Sequence, residues 1–491
     1  MGLLLNRVIT IQLWVLVALA IRNPIIPGWN PDPSIIRVGD EYFLATSSFE
    51  YWPSTPIYKS KDLANWELYS HAFTKPSQAQ LYGVPTGAGT WAPTLSLING
   101  KYYMASMTRW TYDPVARVWP RVMWVSSHDL KTWSDPIWGD AWGIDPSLFQ
   151  DPATQKVYLN LMAPNNNVDR IWGIYQCQVD VDSGRCIGEY RSIWNGTLAH
   201  NSSARPEGPK MFKRDSWYYL LIAEGGTDDL HRASIARSTS PEGPWETAPN
   251  NPILFNGAYG YDNLTVQSTG HATHFDTPDG ESYLAFLARR KINGSSPLGR
   301  ETFLSPVQWK NGWPIVNGGE PIRLSQSFGS TRDQVSTPKP FTDNFDGANL
   351  DPSWYQLRIP YTQNFMMKKN SANGITFKPN VFGLSDRDTP AAILRKQKSL
   401  NMTFSAQLLP TKSGLGYGET VGISAYLSEL QHQDIAVSAF APTNWFVFEG
   451  ASFALFATGT GQPWPSHAPE VGFSRVTETY YEENIPDYDK W

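Results

Sequence analysis

Asn30-Pro31-Asp32-Pro33-Ser34 runs directly into IIRVGDEYFLATSS, residues 35–48. A carboxylate between two prolines stands at the mouth of an apolar, aromatic strand. Proline fixes φ and lacks a backbone donor, so the reading is an extended, stiff segment that holds Asp32. A single Asp-Pro is ordinary turn chemistry. This one recurs in altered form along the chain.

Five segments align on it: DPSIIRVGDEYFLATS from Asp32, APTLSLINGKYYMASM from Ala92, DPSLFQDPATQKVYLNLM from Asp145, EGPKMFKRDSWYYLLIAE from Glu207 and HATHFDTPDGESYLAFLAR from His271. Each has a short apolar strand, a polar turn and a second, aromatic strand. Their starts fall 60, 53, 62 and 64 residues apart. Hairpins repeating at a period of roughly 60 predict radial repetition, an all-β propeller of five blades. Helical periodicity is scarce, and 38 glycines and 38 prolines punctuate the chain as strand and turn.

The repeat also locates chemistry. The first residue of each segment opens the innermost strand of a blade, so Asp32, Ala92, Asp145, Glu207 and His271 converge on one axis. Three carboxylates confined together raise one another's pKa, a cost that stability does not repay and catalysis uses. The alternative is that they cap hairpins or hold a cation. Two such carboxyls cleave a glycosidic bond, one activating water and the other protonating the leaving oxygen. Asp32 and Glu207 form the natural pair. Asp145 is the third acid, its negative charge keeping Glu207 protonated. Spacing alone leaves acid and base unassigned between the pair.

At 491 residues the chain is long enough for two domains. A net charge of −5 without basic runs argues against a nucleic-acid surface. Aromatic residues make up 13%, which suits β-structure and the stacking of sugar rings. Residues 1–20 read as a secretory signal: one positive charge in Met1–Arg7, an apolar run Val8–Ala20, and a cut near Ala20. No other run is long and apolar enough to cross a membrane. The expectation is an extracellular protein with no membrane or nucleic-acid partner. Sequons at Asn195, Asn201, Asn263, Asn293 and Asn401 fit secretion. Cys177 and Cys186 flank VDVDSGR, a hairpin-like turn that a disulfide would close. Two cysteines alone fall short of a metal site.

Eight ordered motifs then resemble glycoside hydrolase family 43. They are NPDPS (30–34), SSFEYWPSTPIYKSKDLANW (47–66), GTWAPTL (89–95), GIDPSLF (143–149), ARPEGPKMFKR (204–214), EGGT (224–227), STGHA (268–272) and LGRETFL (298–304). The resemblance implies a five-bladed propeller, inversion at the anomeric carbon and fixed roles. Asp32 is the general base, Glu207 the general acid and Asp145 the pKa modulator. Arg300 matches a sugar-binding arginine of the family's xylosidase-like members. Trp91 and Trp52 are candidate sugar platforms. His271, a further candidate substrate-binding residue, faces inward and His274, three residues on along a strand, does not. In some members the matching histidine lies near an axial calcium, so calcium is a possible ligand, with none required by the chemistry.

The domain expectation is a signal peptide at 1–20, the propeller at 22–322, a Ser/Thr/Pro-rich linker at 323–340 and a C-terminal β-sandwich at 341–491. ITFKP, MTFSAQL, GISAYL and FALFATG alternate like sandwich strands. Between HQDIAVSAF and SFALFATG only about a dozen residues stand where the family usually carries several more strands. The sandwich is therefore expected to be abbreviated. Three functions compete: an exo-hydrolase releasing terminal β-D-xylose from xylo-oligosaccharides, an α-L-arabinofuranosidase acting on arabinoxylan, and a non-catalytic sugar-binding propeller. The two-domain layout and Arg300 favour the first, and the intact trio of acids disfavours the third. Related fructan hydrolases are expected to show Asn-Asp-Pro-Asn and Arg-Asp-Pro, and neither occurs.

Overall fold

The computed structural model describes residues 21–110, 120–164, 172–199, 204–258, 260–324, 327–328, 338–360, 368–369, 374–409, 415, 419–438, 452–458 and 471–481. The expected signal segment 1–20, the sequon at Asn201 and the stretch 439–451 where the sandwich was expected to be shortened lie outside them.

Five successive antiparallel sheets make up the first part, four of them with four strands and the second with five. They begin with the strands Ser34–Val38, Thr94–Ile98, Ile144–Gln150, Glu207–Arg214 and Val266–Asp276. These five opening strands touch one another in order, and the fifth touches the first, so the ring is closed. The strands are written by β-branched and aromatic residues, and the hairpins by their turns. Asn99-Gly100 and Asn311-Gly312 take left-handed φ at both positions (50° and 75°, 53° and 75°), the geometry a tight two-residue hairpin demands. The aromatic residues fill the spaces between sheets, as in the cluster of Phe286, Phe303, Tyr219 and Trp313.

The N-terminal segment seals the ring. Asn23 exchanges two 2.7 Å hydrogen bonds with the backbone of Leu304, and Ile25 N–H donates to Thr302 O at 2.9 Å. Buried bonds of this kind contribute about 1 kcal/mol each. The expected linker is not wholly irregular: Ser327–Phe328 pairs with Ile21–Arg22. Cys177 and Cys186 are disulfide-bonded across the hairpin of Trp172–Val179 and Cys186–Trp194, with Cα atoms 5.7 Å apart.

The second part is a β-sandwich. One sheet contains Phe341–Asp343, Val471–Tyr480, Ile375–Phe377, Lys368–Lys369 and Met402–Leu408; the other contains Ala391–Lys396, Ser452–Thr458, Thr420–Ser428 and Gln431–Ser438. Phe345, Trp354, Phe377, Ile393, Val421 and Phe473 fill the space between them. The two parts join by backbone pairing, because Tyr51–Trp52 of the propeller pairs with Gln356–Leu357. This corrects the expectation for Trp52. Its side chain is 6% exposed, packed with Phe43, Phe73, Leu81 and Ile359, and it presents no face to a sugar.

Candidate active site

Except at Ala92, the inward positions share a backbone peculiarity. Asp32, Asp145 and His271 have φ of 57°, 55° and 46°, and Gly208, next to Glu207, has 58°. Strand pairing shifts register at Ile144/Ser147, Glu207/Lys210 and Gly270/Thr273. Asp32 is thus not in the extended conformation that its flanking prolines suggested. A left-handed residue turns the chain at each strand entry, and Asp tolerates that region better than most. Such residues cost about 1–3 kcal/mol each and cluster where function demands them.

Asp32 is buried and held on both oxygens. Ser47 Oγ donates to Oδ2 at 2.6 Å, and Arg300 Nη1 donates to Oδ1 at 3.2 Å. His271 Nδ1 lies 3.4 Å from Oδ1. Burial alone pushes the Asp32 carboxyl up, but Arg300, His271 and the Ser47 hydrogen bond outweigh it, and the net displacement is downward.

Glu207 moves the other way. Burial and the charges of Asp145 and Asp32 push it up to about 8, against Arg300 and Arg205. Asp145 accepts the Gly208 N–H at 3.0 Å on Oδ2, which ties it to the peptide beside Glu207. Burial, and then the Asp32 charge, raise Asp145 as well, to about 7. The sequence reading had Asp145 as a plain negative charge; its own environment resists that charge and shares the proton balance with Glu207.

Arg300 sits within an aromatic rim. Its guanidinium lies 5.5 Å from the Trp29 ring and 5.4 Å from Phe49, whose ring is 6.4 Å from that of Trp91. Trp29 and Trp91 are partly exposed and Phe49 is buried, so the two tryptophans can offer faces to a ring. Trp91 is braced behind by Met107, Ile144 and Met162. Glu301, fully buried, pairs with Arg290 at 2.7 Å and accepts the Gly28 N–H at 2.8 Å, fixing the Trp29 segment beside Arg300.

Sequence reasoning missed three residues. Trp29 lies just before the NPDPS motif and carried no spacing of its own. Lys210 is buried; its Nζ donates to Thr94 Oγ1 at 2.6 Å, and burial lowers it to about 8 against the charges of Asp145 and Asp32. A lysine in the otherwise apolar EGPKMF was the available signal. His231 is buried with Nδ1 on Gly226 O, and burial lowers it to about 4, so it is neutral at pH 7.

His271 is buried at 3%, and burial lowers it to about 3, so it stands neutral against Asp32 and meets the carboxylate rather than an open pocket. A Cβ on Gly208 would fall 2.7 Å from its Nε2, so glycine is required there. His274 points elsewhere, stacked on Phe212 at 4.4 Å. Calcium takes six to eight oxygen ligands, and a single buried imidazole does not supply them. Among the described residues no group of three or more His, Cys, Asp or Glu could hold a metal. These residues do not fit the ion as ligands, and no step is routed through it.

Comparison with known proteins identifies the family. The model of glycosyl hydrolases family 43 matches residues 21–314, and that of the beta xylosidase C-terminal concanavalin A-like domain matches 342–443. A non-reducing end alpha-L-arabinofuranosidase of Bacteroides ovatus is 34% identical over 441 residues, 88% of this chain and 79% of that protein. A beta-xylosidase of Bacillus subtilis is 34% identical over 400 residues, 78% of this chain and 72% of that one. The crystal structure of a xylan beta-1,4-xylosidase from Bacillus halodurans superposes with a TM-score of 0.81 at 25% identity, covering 94% of this chain and 100% of that one. The ring of sheets and the trailing sandwich belong together for that reason: the chain is a glycoside hydrolase of family 43.

Proposed function

We propose that the chain is a secreted, inverting exo-hydrolase that removes terminal β-D-xylose from xylo-oligosaccharides. Asp32 is the general base, Glu207 the general acid, and Asp145 modulates and orients Glu207. The observation that carries this reading is the opposite displacement of two carboxyls in one site, Asp32 downward and Glu207 up to about 8. Groups whose environments push their pKa values apart are an acid and a base at one pH.

Near pH 6 Asp32 is ionised and Glu207 carries its proton. Asp32 takes a proton from a water beneath the anomeric carbon as Glu207 gives one to the leaving oxygen. Arg300 and Ser47 fix the Asp32 carboxylate, and the Gly208 N–H bond to Asp145 fixes the peptide beside the acid. Trp29 and Trp91 offer stacking faces, and Arg300 offers a fork for vicinal hydroxyls.

A second reading, α-L-arabinofuranosidase or a bifunctional enzyme, draws on the two relatives above, which match at the same 34% and carry the two different names. Aryl β-xylosides, aryl α-L-arabinofuranosides and xylobiose, tested side by side, separate the readings. Turnover of xylobiose with the aryl xyloside ahead supports the first, and preference for the arabinofuranoside supports the second. No turnover on any of them supports the sugar-binding alternative. Proton NMR of a fresh xyloside digest checks the stereochemistry: α-xylose appears first under inversion, and early β-xylose overturns it. The Cys177–Cys186 disulfide supports an oxidising, extracellular workplace. Activity in the culture medium, from a protein whose N-terminus falls near Ile21, is the test of secretion.

A further inference from the structure

Lys396 ends the sandwich strand Ala391–Lys396 and is 9% exposed. Its Nζ donates to Asn30 Oδ1 at 2.8 Å, 366 residues away. Among the described residues no carboxylate pairs with it. Its neighbour Arg395 is already committed to Glu478 at 2.6 Å. Burying an ammonium without a counter-ion is costly, and an apolar chain of similar size would serve packing better. Stability therefore gives no reason for a lysine here.

What the amine holds is informative. Asn30 lies two residues before Asp32. Its Oδ1 also accepts Tyr58 OH at 2.7 Å, and its Nδ2 donates to Pro27 O at 3.1 Å. Its backbone N–H donates to Arg300 O at 2.9 Å, and Thr302 Oγ1 donates to its carbonyl at 2.7 Å. One asparagine thus ties together the Asp32 segment, the Arg300 strand and, through Lys396, the sandwich. The sandwich strand is itself anchored, since Leu394 and Tyr355 exchange two 2.8 Å backbone bonds.

We propose that Lys396 is a positioning residue for the reaction: through Asn30 the sandwich sets Asp32 against Arg300. The proposal rests on the reading of Asp32 as the general base. Burial and the charge of Lys398 lower Lys396 to about 7, which fits an amine without a counter-ion. The other groups around it are Tyr58, Tyr355 and His71, the last lowered to about 3 and neutral. The permanent cation beside Asp32 is Arg300, since His271 and His231 are neutral at pH 7. Lys396 reaches the Asp32 segment by its bond to Asn30, and so acts on position.

The test is Lys396→Met, read by melting temperature and by the pH profile of kcat/KM on an aryl xyloside. Methionine removes the uncompensated charge, so the melting temperature is expected to hold or rise. Slackening the Asp32–Arg300 contact is expected to cut kcat/KM about tenfold. It should also raise the Asp32 pKa, moving the acid limb up by about half a pH unit. A folded variant with the native rate and acid limb overturns the proposal. So does a lower melting temperature with the acid limb in place, which marks Lys396 as structural only. Should the methionine variant not fold, Lys396→Gln, neutral and one bond short of Asn30, is read by the same two outcomes. Asp32→Ala runs in parallel. If it is inactive while the folded Lys396 variants are native, the positioning proposal fails alone; if it turns over substrate, the reading of Asp32 fails and takes the proposal with it.

Discussion

Arg300 Nη1 stands 3.2 Å from Asp32 Oδ1, across 268 residues of sequence. The contact holds the carboxylate ionised in a buried site where it would otherwise take up a proton. Arg300→Ala removes the leading favourable charge. The Asp32 pKa then rises. The base works only when ionised, so the acid limb of kcat/KM moves to higher pH by the same amount. A pH–rate profile in which that limb stays put sinks the assignment of Asp32 as the group it reports.

As the proposed general acid, Glu207 must carry its proton to act. Its pKa, about 8, places the alkaline loss of activity in that region. Glu207→Ala is expected to abolish cleavage of xylobiose, whose leaving alcohol needs the proton. Aryl xylosides with good leaving groups should retain far more activity. Equal loss on both substrates argues against Glu207 as the acid.

Asp145→Asn keeps an oxygen to accept the Gly208 N–H and deletes the charge. Asp145 contributes to the upward push on Glu207 only while ionised, and its own pKa is about 7. The substitution should therefore change little below pH 6. Above pH 7 it lowers the Glu207 pKa and brings the alkaline limb down. An alkaline limb that stays in place or moves up contradicts the modulating role.

Gly208→Ala puts a Cβ 2.7 Å from His271 Nε2, at a φ of 58° that side chains rarely adopt. The strain amounts to about 1–3 kcal/mol. The imidazole must also shift against Asp32. A drop in melting temperature and a loss of kcat are expected together. A native melting temperature would show that the ring has room to move.

The fold was legible because strand and turn residues repeat at a regular period, and because each blade packs mainly against its neighbours. The acids were legible for a related reason, since each opens a repeat. Their backbone was not. Two prolines read as extended chain, and the left-handed turn at Asp32 is imposed by the strand entry. Trp52 reads like a rim residue beside its SSFEY neighbours, yet its place is decided by the pairing with Gln356, three hundred residues on. Lys210 and His231 belong to no spacing pattern, and only the closed ring brings their charge or ring to the acids. Lys396 is the extreme case: a lysine in a sandwich strand has no meaning until the seam sets it on Asn30.

The way the ring is sealed has a consequence for the order in which activity appears. Asn23, Ile25 and Asp32 are made first, whereas Leu304, Thr302 and Arg300, which complete their surroundings, are made near the end of the propeller. Until residue 304 is in place, the segment of Asn23 and Ile25 lacks its partners and Asp32 lacks its cation. If Asp32 is the base, N-terminal fragments that end before Arg300 are expected to be inactive, because the carboxylate then lacks its cation.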